Sequence, residues 1–353
     1  MTKIRVMVVD DSVVIRRQVT DELALDPAIE VICAAHNGKQ ALIRLEQLTP
    51  DLVILDIEMP EMDGLTALVE IRKKYPRLPV IMFSSLTERG AVATLDALAR
   101  GASSYFPKPS TGGVDESRRI IRERLVPEIK ALVRPPASAT LTNPNPFPRQ
   151  AEVARPITSA RVQAVLIGSS TGGPNALSQV FASFPADLSV PVLIAQHMPP
   201  MFTKMLAARL TSERAIKVHE AMAGMTVQPG QAYIAPGDYH LTVVRDGAQV
   251  KTALNQGPLE NSCRPAVDVL FRSAASIYGA GCLAVILTGM GQDGLRGCEA
   301  VHATGGQVIA QDEASSVVWG MPGFVARSGI ASRILPLDAI GMEIVRRVRG
   351  PSS

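Results

Sequence analysis

Aromatic residues make up only 4% of this 353-residue chain, and its net charge is just +3. A nucleic-acid binder draws on stacking rings or a concentrated basic surface, so both scarcities argue against one. Cysteine is scarce too: Cys33, Cys263, Cys282 and Cys298 stand singly, with no C-x-x-C spacing. That excludes a disulfide framework or a cysteine zinc site and leaves reduced thiols as the reading. No apolar run approaches the ~20 residues that span a bilayer. The opening Met-Thr-Lys-Ile-Arg passes directly into a strand pattern, without the features of a secretory leader. The expectation is a cytoplasmic protein with no direct membrane insertion.

What is present describes an ordinary globular protein, with 46% hydrophobic and 20% charged residues. At ~150 residues per domain the length suggests two domains. Residues 1–124 alternate strand patterns (Ile4–Val9, Val31–Ala35, Leu52–Leu55, Val80–Phe83, Ser104–Phe106) with helical ones (Val13–Leu25, Lys39–Gln47, Gly64–Tyr75, Ala91–Ala99). This rhythm predicts an α/β domain of flavodoxin-like type, a doubly wound parallel sheet.

Polar residues gather at the carboxyl ends of those strands. Asp10 and Asp11 follow the first, Asp56 the third, Ser84 the fourth and Lys108 the fifth. Clustered carboxylates repel one another unless a cation joins them, and oxygen-only ligation favours Mg²⁺. A neighbouring lysine offsets charge, and a carboxylate in such a place can accept a phosphoryl group. The Asp-Asp pair alone also fits a cap on the helix starting near Ser12. With Asp56, Ser84 and Lys108 added, residues 1–124 resemble the receiver domain of a two-component response regulator. The resemblance implies that Asp56 is the phosphoacceptor. It places Asp10 and Asp11 in the Mg²⁺ pocket, with the Glu58 backbone carbonyl completing the metal sphere. Ser84 and Lys108 would contact the phosphoryl group, and Tyr105 would be the aromatic switch.

Residues 125–160 read as a linker. A helix pattern over Val126–Arg134 gives way to prolines at 135, 136, 144, 146 and 148. So many prolines cannot support a helix or a central strand, so the segment is expected to be an extended tether.

Residues 161–350 again show apolar strand patterns: Val162–Gly168, Val190–Ala195, Ala232–Ala235, Leu283–Leu287 and Val308–Ala310. Asp246-Gly247 between two β-rich runs signals a hairpin. A second, mainly parallel α/β domain with an antiparallel hairpin is expected. Its first strand ends in Gly168-Ser169-Ser170-Thr171-Gly172-Gly173 before Pro174. Gly-x-Ser-x-Gly on a strand-to-helix turn matches the nucleophile-elbow pattern, in which small neighbours let a tight turn expose one serine. Ser170 is the candidate nucleophile, His197 the candidate base and Asp293 the carboxylate that orients it. Each follows an apolar strand, so one sheet edge can bring them together. Each also has a plainer reading, as a helix cap, a structural histidine and a turn aspartate. A phosphate loop is disfavoured, because the segment lacks the P-loop lysine and does not fit G-x-G-x-x-G.

Around these residues, segments at 168–173, 196–200, 235–238, 264–268, 287–294 and 320–322 complete a second resemblance, to the chemotaxis protein-glutamate methylesterase family, CheB. The resemblance implies hydrolysis of glutamate γ-methyl esters on chemoreceptor helices with release of methanol, and deamidation of receptor glutamines. It makes methylated chemoreceptors and a chemotaxis histidine kinase the partners, and implies no cofactor for the ester chemistry. It also implies an oxyanion donor in the Met290 backbone amide. Two positions depart from the family: Ser169 stands where alanine is usual, offering a second hydroxyl, and Gln292 stands where asparagine is common. Two rivals remain, a response regulator whose second domain only binds a partner, and a related esterase or amidase outside chemotaxis.

Overall fold

The computed structural model describes residues 2–108, 113–133 and 160–350. The tether prediction falls on residues 134–159, outside the described residues. The chain divides into two compact units, within 1–135 and 136–353.

The first unit is built from β1 (Ile4–Val9), α1 (Val13–Ala24), β2 (Ile29–Ala35), α2 (Gly38–Gln47), β3 (Leu52–Asp56), α3 (Gly64–Lys74), β4 (Val80–Ser84), α4 (Glu88–Ala99), β5 (Ser104–Pro107), α5 (Gly113–Ile120) and α6 (Val126–Leu132), the last two joined by a π-helical turn over Ile121–Leu125. The five strands pair in parallel in the order β2-β1-β3-β4-β5. Strands β3 and β4 are buried throughout, because helices cover both faces of such a sheet. Short polar side chains start the helices. Ser12, Asn37, Asp63 and Thr87 each accept a hydrogen bond from a backbone amide of the first turn they cap. Because Ser12 caps α1, Asp10 and Asp11 are not needed for that purpose. Helix α6 packs on this unit through fully buried Ile129, a Ser104–Glu128 hydrogen bond and a Lys130–Asp26 ion pair of 2.6 Å.

The second unit comprises β6 (Ala164–Ser169), α7 (Gly173–Phe181), β7 (Val192–Gln196), α8 (Phe202–Glu213), β8 (Lys217–Glu220), β9 (Gln231–Ile234), β10 (His240–Asp246), β11 (Gln249–Asn255), α9 (Val267–Tyr278), β12 (Cys282–Ile286), α10 (Leu295–Ala303), β13 (Gln307–Gln311), α11 (Met321–Ser328), β14 (Arg333–Leu335) and α12 (Leu337–Arg349). Seven parallel strands run β14-β13-β12-β6-β7-β9-β8, and β10 pairs with β11 in a separate antiparallel hairpin. The hairpin turn is centred on Gly247-Ala248 rather than on Asp246-Gly247. Asp246 still pairs with Gln249, and Gly247 at φ +57° takes the first central position. A positive φ there matches the twist of the flanking strands, and glycine adopts it without steric cost.

The two edge strands, β8 and β14, carry no readable sequence signal. They are three or four residues long and partly exposed, so neither alternation nor a buried run marks them. The central strands were legible because β6, β7 and β12 are buried at every position. Topology then fixes the site. From β6 the chain builds outward through β7 on one side, later crosses to β12 on the other, and so makes β6 the switch point. In sheets of this kind, ligands bind beyond the carboxyl ends of the strands at that point.

Candidate active site

Ser170, His197 and Asp293 lie in the connections that leave the adjacent strands β6, β7 and β12. The Ser170 turn is tied down on two sides. Its amide donates to the Thr288 carbonyl at 3.0 Å, and its carbonyl accepts from Gly173 N at 2.8 Å and Gln196 Nε2 at 3.0 Å. Gly172 sits at φ +78°, the left-handed region, and a Cβ on Gly173 would come within 1.9 Å of Gln196 Oε1. Both glycines are therefore required for this backbone path.

The second hydroxyl has a structural task. Ser169 is fully buried, and its Oγ donates to Gln196 Oε1 at 2.6 Å. The same glutamine amide donates to the carbonyls of Ser170 and, at 3.3 Å, His197. Ser169 and Gln196 thus hold the Ser170 turn and the His197 turn in one register. Sequence reasoning missed Gln196, although its place at the end of a buried strand was the available signal.

His197 Nε2 lies 2.8 Å from Asp293 Oδ2. The ring is 12% exposed and the carboxylate 2%. Asp293 is held from behind. Oδ2 also accepts from Val267 N at 2.6 Å, while Oδ1 accepts from Asp268 N at 3.1 Å, Gly294 N at 3.0 Å and Asn261 Nδ2 at 2.9 Å. Burial favours the neutral acid, but His197 and these amides outweigh it and hold the Asp293 pKa below the ordinary range. Burial likewise favours a neutral imidazole, and Cys263 and Asp293 outweigh it, so the His197 pKa is raised. The other ring nitrogen, Nδ1, faces Cys263 Sγ at 3.5 Å. Among the described residues no hydrogen bond joins the Ser170 hydroxyl to the ring. The structure brings histidine and aspartate into contact and places the serine at the same sheet edge.

Asp268, buried beside Asp293, accepts from Gly297 N at 2.6 Å, Gly294 N at 3.0 Å and Asn261 Nδ2 at 2.9 Å. Burial first, with Asp293 adding to it, raises its pKa to about 6. Met290 sits in the loop that follows β12. Its neighbour Gly289 packs so closely that a Cβ there would meet Ser170 Cβ at 2.8 Å.

The first unit carries its own cluster. One carboxylate oxygen each from Asp10, Asp11 and Asp56 lie within 4.8 Å of one another. Lys108 Nζ approaches Asp10 Oδ2 at 2.9 Å and Asp56 Oδ2 at 2.7 Å. Apart from that ammonium, neither buried oxygen has a partner. Burial, and after it the nearby Asp10 charge, raises the Asp56 pKa to about 6 against the pull of Lys108. Glu58 N donates to Asp56 Oδ1 at 3.3 Å. The Ser84 hydroxyl turns toward α4, donating to Gly90 O at 3.1 Å and accepting from Thr94 Oγ1 at 2.7 Å. Tyr105 is half-buried on β5, and burial raises the pKa of its phenol.

The chain thus joins a five-stranded parallel α/β unit that carries an acidic cluster and a lysine to a seven-stranded parallel α/β unit with Ser170, His197 and Asp293 at its switch point. The chain matches the CheB methylesterase family over residues 165–344 and the response regulator receiver domain over residues 6–114. It is 49% identical to a protein-glutamate methylesterase/protein-glutamine glutaminase of Trichodesmium erythraeum, covering 99% of this chain and 100% of that one. It is 52% identical to a protein of the same description from Nocardioides sp., over 99% and 96% of the two chains. The crystal structure of the Thermotoga maritima CheB methylesterase catalytic domain matches 53% of this chain and 98% of its own, with 44% identity and a TM-score of 0.52. The chain belongs to the CheB methylesterase family and is a methylesterase, a carboxylic ester hydrolase, with an N-terminal receiver domain.

Proposed function

We propose that the chain hydrolyses glutamate γ-methyl esters on the cytoplasmic helices of chemoreceptors, deamidates receptor glutamines, and does so under control of phosphorylation at Asp56. The organisation proposed is a receiver at 1–124, a linker at 125–160 whose helical start is seated on the receiver, and a catalytic domain at 161–350. The observation that carries the hydrolase reading is the 2.8 Å His197–Asp293 contact beside the Ser170 turn.

In the proposed mechanism Ser170 Oγ attacks the ester carbonyl while His197 accepts its proton. With Nε2 engaged by Asp293, Nδ1 is the nitrogen that receives it. Asp293 stabilises the imidazolium so formed. The tetrahedral oxyanion is met by backbone amides, that of Met290 among them. Collapse breaks the bond to the methoxy oxygen, which takes the proton from His197 and leaves as methanol. Water activated by the same imidazole then frees the glutamate and restores Ser170. Deamidation follows the same course with ammonia as the leaving group.

In the receiver, Asp10, Asp11 and Asp56 fit Mg²⁺. They present three carboxylate oxygens in one cluster, two of them paired only with Lys108. The Glu58 carbonyl is proposed as a further ligand. Bound Mg²⁺ supplies charge neutralisation for phosphoryl transfer. Lys108 holds charge opposite Asp56, and Ser84 and Tyr105 are proposed to respond to the phosphoryl group, Ser84 by leaving its α4 partners. A histidine kinase is the proposed phosphodonor and the cytoplasm the proposed location, with no nucleic-acid partner. No helix among the described residues is long and apolar enough to cross a membrane. The reading is tested by methanol release from methyl-labelled receptors. Near-normal release by Ser170→Ala, or none by the native protein, defeats it.

A further inference from the structure

The cleft that holds Asp293 contains a second buried carboxylate, and one side chain touches both. Asn261 Nδ2 donates to Asp293 Oδ1 and to Asp268 Oδ2, each at 2.9 Å. Both carboxylates are almost wholly buried, whereas Asn261 is exposed, so its amide reaches them from the surface. Its backbone sits at φ 52°, and Ser262 beside it at φ 62°. Asparagine tolerates that region better than most residues but still adopts it seldom. The left-handed turn aims the amide inward, and Cys263, two residues on, carries the thiol that faces His197 Nδ1.

Two buried carboxylates so close repel each other, and the pKa of Asp268 is raised partly for that reason. A donor shared between them is the cheapest relief available from this loop. Apart from His197 itself, the remaining donors to Asp293 are backbone amides fixed by α9 and the start of α10, that of Gly294 also reaching Asp268. Asn261 is therefore the side chain that decides how Oδ1 is held, and so which way Oδ2 points at His197. We infer that Asn261 is a positioning residue for the ester hydrolysis, a clamp that joins Asp268 to Asp293 and fixes the carboxylate against Nε2 of His197. This rests on the proposed Ser170–His197–Asp293 mechanism and adds a residue to it.

The test compares Asn261→Gly and Asn261→Asp in the full-length protein, with Ser170→Ala in the same series. Glycine and aspartate both accept a left-handed backbone, so neither variant adds strain. Glycine removes the amide; aspartate keeps its shape but replaces the donor with an acceptor. The readout is methanol release from methyl-labelled receptors in the presence of Mg²⁺ and acetyl phosphate. Asn261→Gly is expected to lose kcat by about 10- to 100-fold with KM within about twofold, as for a lost hydrogen bond to a charged group. Asn261→Asp is expected to be the slower of the two, whereas a role in filling space predicts the reverse order. The downfield proton resonance of the His197–Asp293 hydrogen bond provides a readout independent of turnover, and it is expected to shift in both variants. Native kcat in both variants, or an unmoved resonance, overturns the inference. If Ser170→Ala also turns over normally, the mechanism itself has failed; if it is dead while the Asn261 variants are native, only the clamp has.

Discussion

His197 presents Nε2, not Nδ1, to Asp293, across 2.8 Å. In the chymotrypsin arrangement the carboxylate holds Nδ1 and the serine meets Nε2. Here Nε2 takes that contact, and Nδ1 faces Cys263 Sγ at 3.5 Å.

The raised His197 pKa sets the direction of the pH dependence. As the proposed base, His197 must be neutral to accept the Ser170 proton, so kcat/KM is expected to rise with pH and its acid limb to lie above the ordinary imidazole value of about 6.5. Because Cys263 helps to raise that pKa, Cys263→Ala is expected to move the limb to lower pH. A pH–rate profile on both proteins checks this, and identical limbs would count against any part for the thiol.

Ser169 and Ser170 are neighbours with opposite expectations. Ser170→Ala removes the proposed attacking oxygen and is expected to cost about a thousandfold or more in kcat. Ser169→Ala removes only a donor to Gln196, so kcat is expected to stay within about fivefold, with a stability loss of about 1 kcal/mol. Gln196→Ala strips both turns of their shared donor and is expected to fall between the two. Steady-state kinetics with thermal melts of the three variants decides the order.

Under the proposed phosphorylation control, acetyl phosphate with Mg²⁺ is expected to stimulate hydrolysis by the native protein but not by Asp56→Asn. A domain coupling of about 1–3 kcal/mol corresponds to a stimulation of about 5- to 150-fold. Native protein that hydrolyses at one rate with and without the phosphodonor would remove phosphorylation control from the reading.

Glu128 gives the first unit a pH-dependent stability. Burial raises its pKa to about 7, against the Ser104 hydroxyl that bonds it. The folded form therefore holds the proton more tightly than the unfolded one, whose glutamate titrates near about 4.3. The stabilisation is complete below that value and is lost as pH rises through 7, up to about 4 kcal/mol in all. Receiver unfolding in urea at pH 5 and pH 8 measures it. Glu128→Gln is expected to flatten the dependence; an unchanged slope in that variant would assign it elsewhere.

Local chemistry made much of this protein legible. Buried parallel strands announce themselves as apolar runs, so the carboxyl ends carrying Asp10, Asp56, Lys108, Ser170, His197 and Asp293 could be read from the chain. The hairpin was readable from its glycine, though the ladder keeps Asp246 and moves the turn by one residue. Tertiary structure alone decided the rest. Edge strands β8 and β14 owe their existence to neighbours that supply their hydrogen bonds, which no short, half-exposed segment can signal. Gln196, Asn261, Cys263 and Asp268 act through partners up to 66 residues away. Their orientation comes from packing and from backbone turns that composition does not record. Sequence dictated which groups would stand at the edge of the sheet; only the folded chain settled which atom of each meets which.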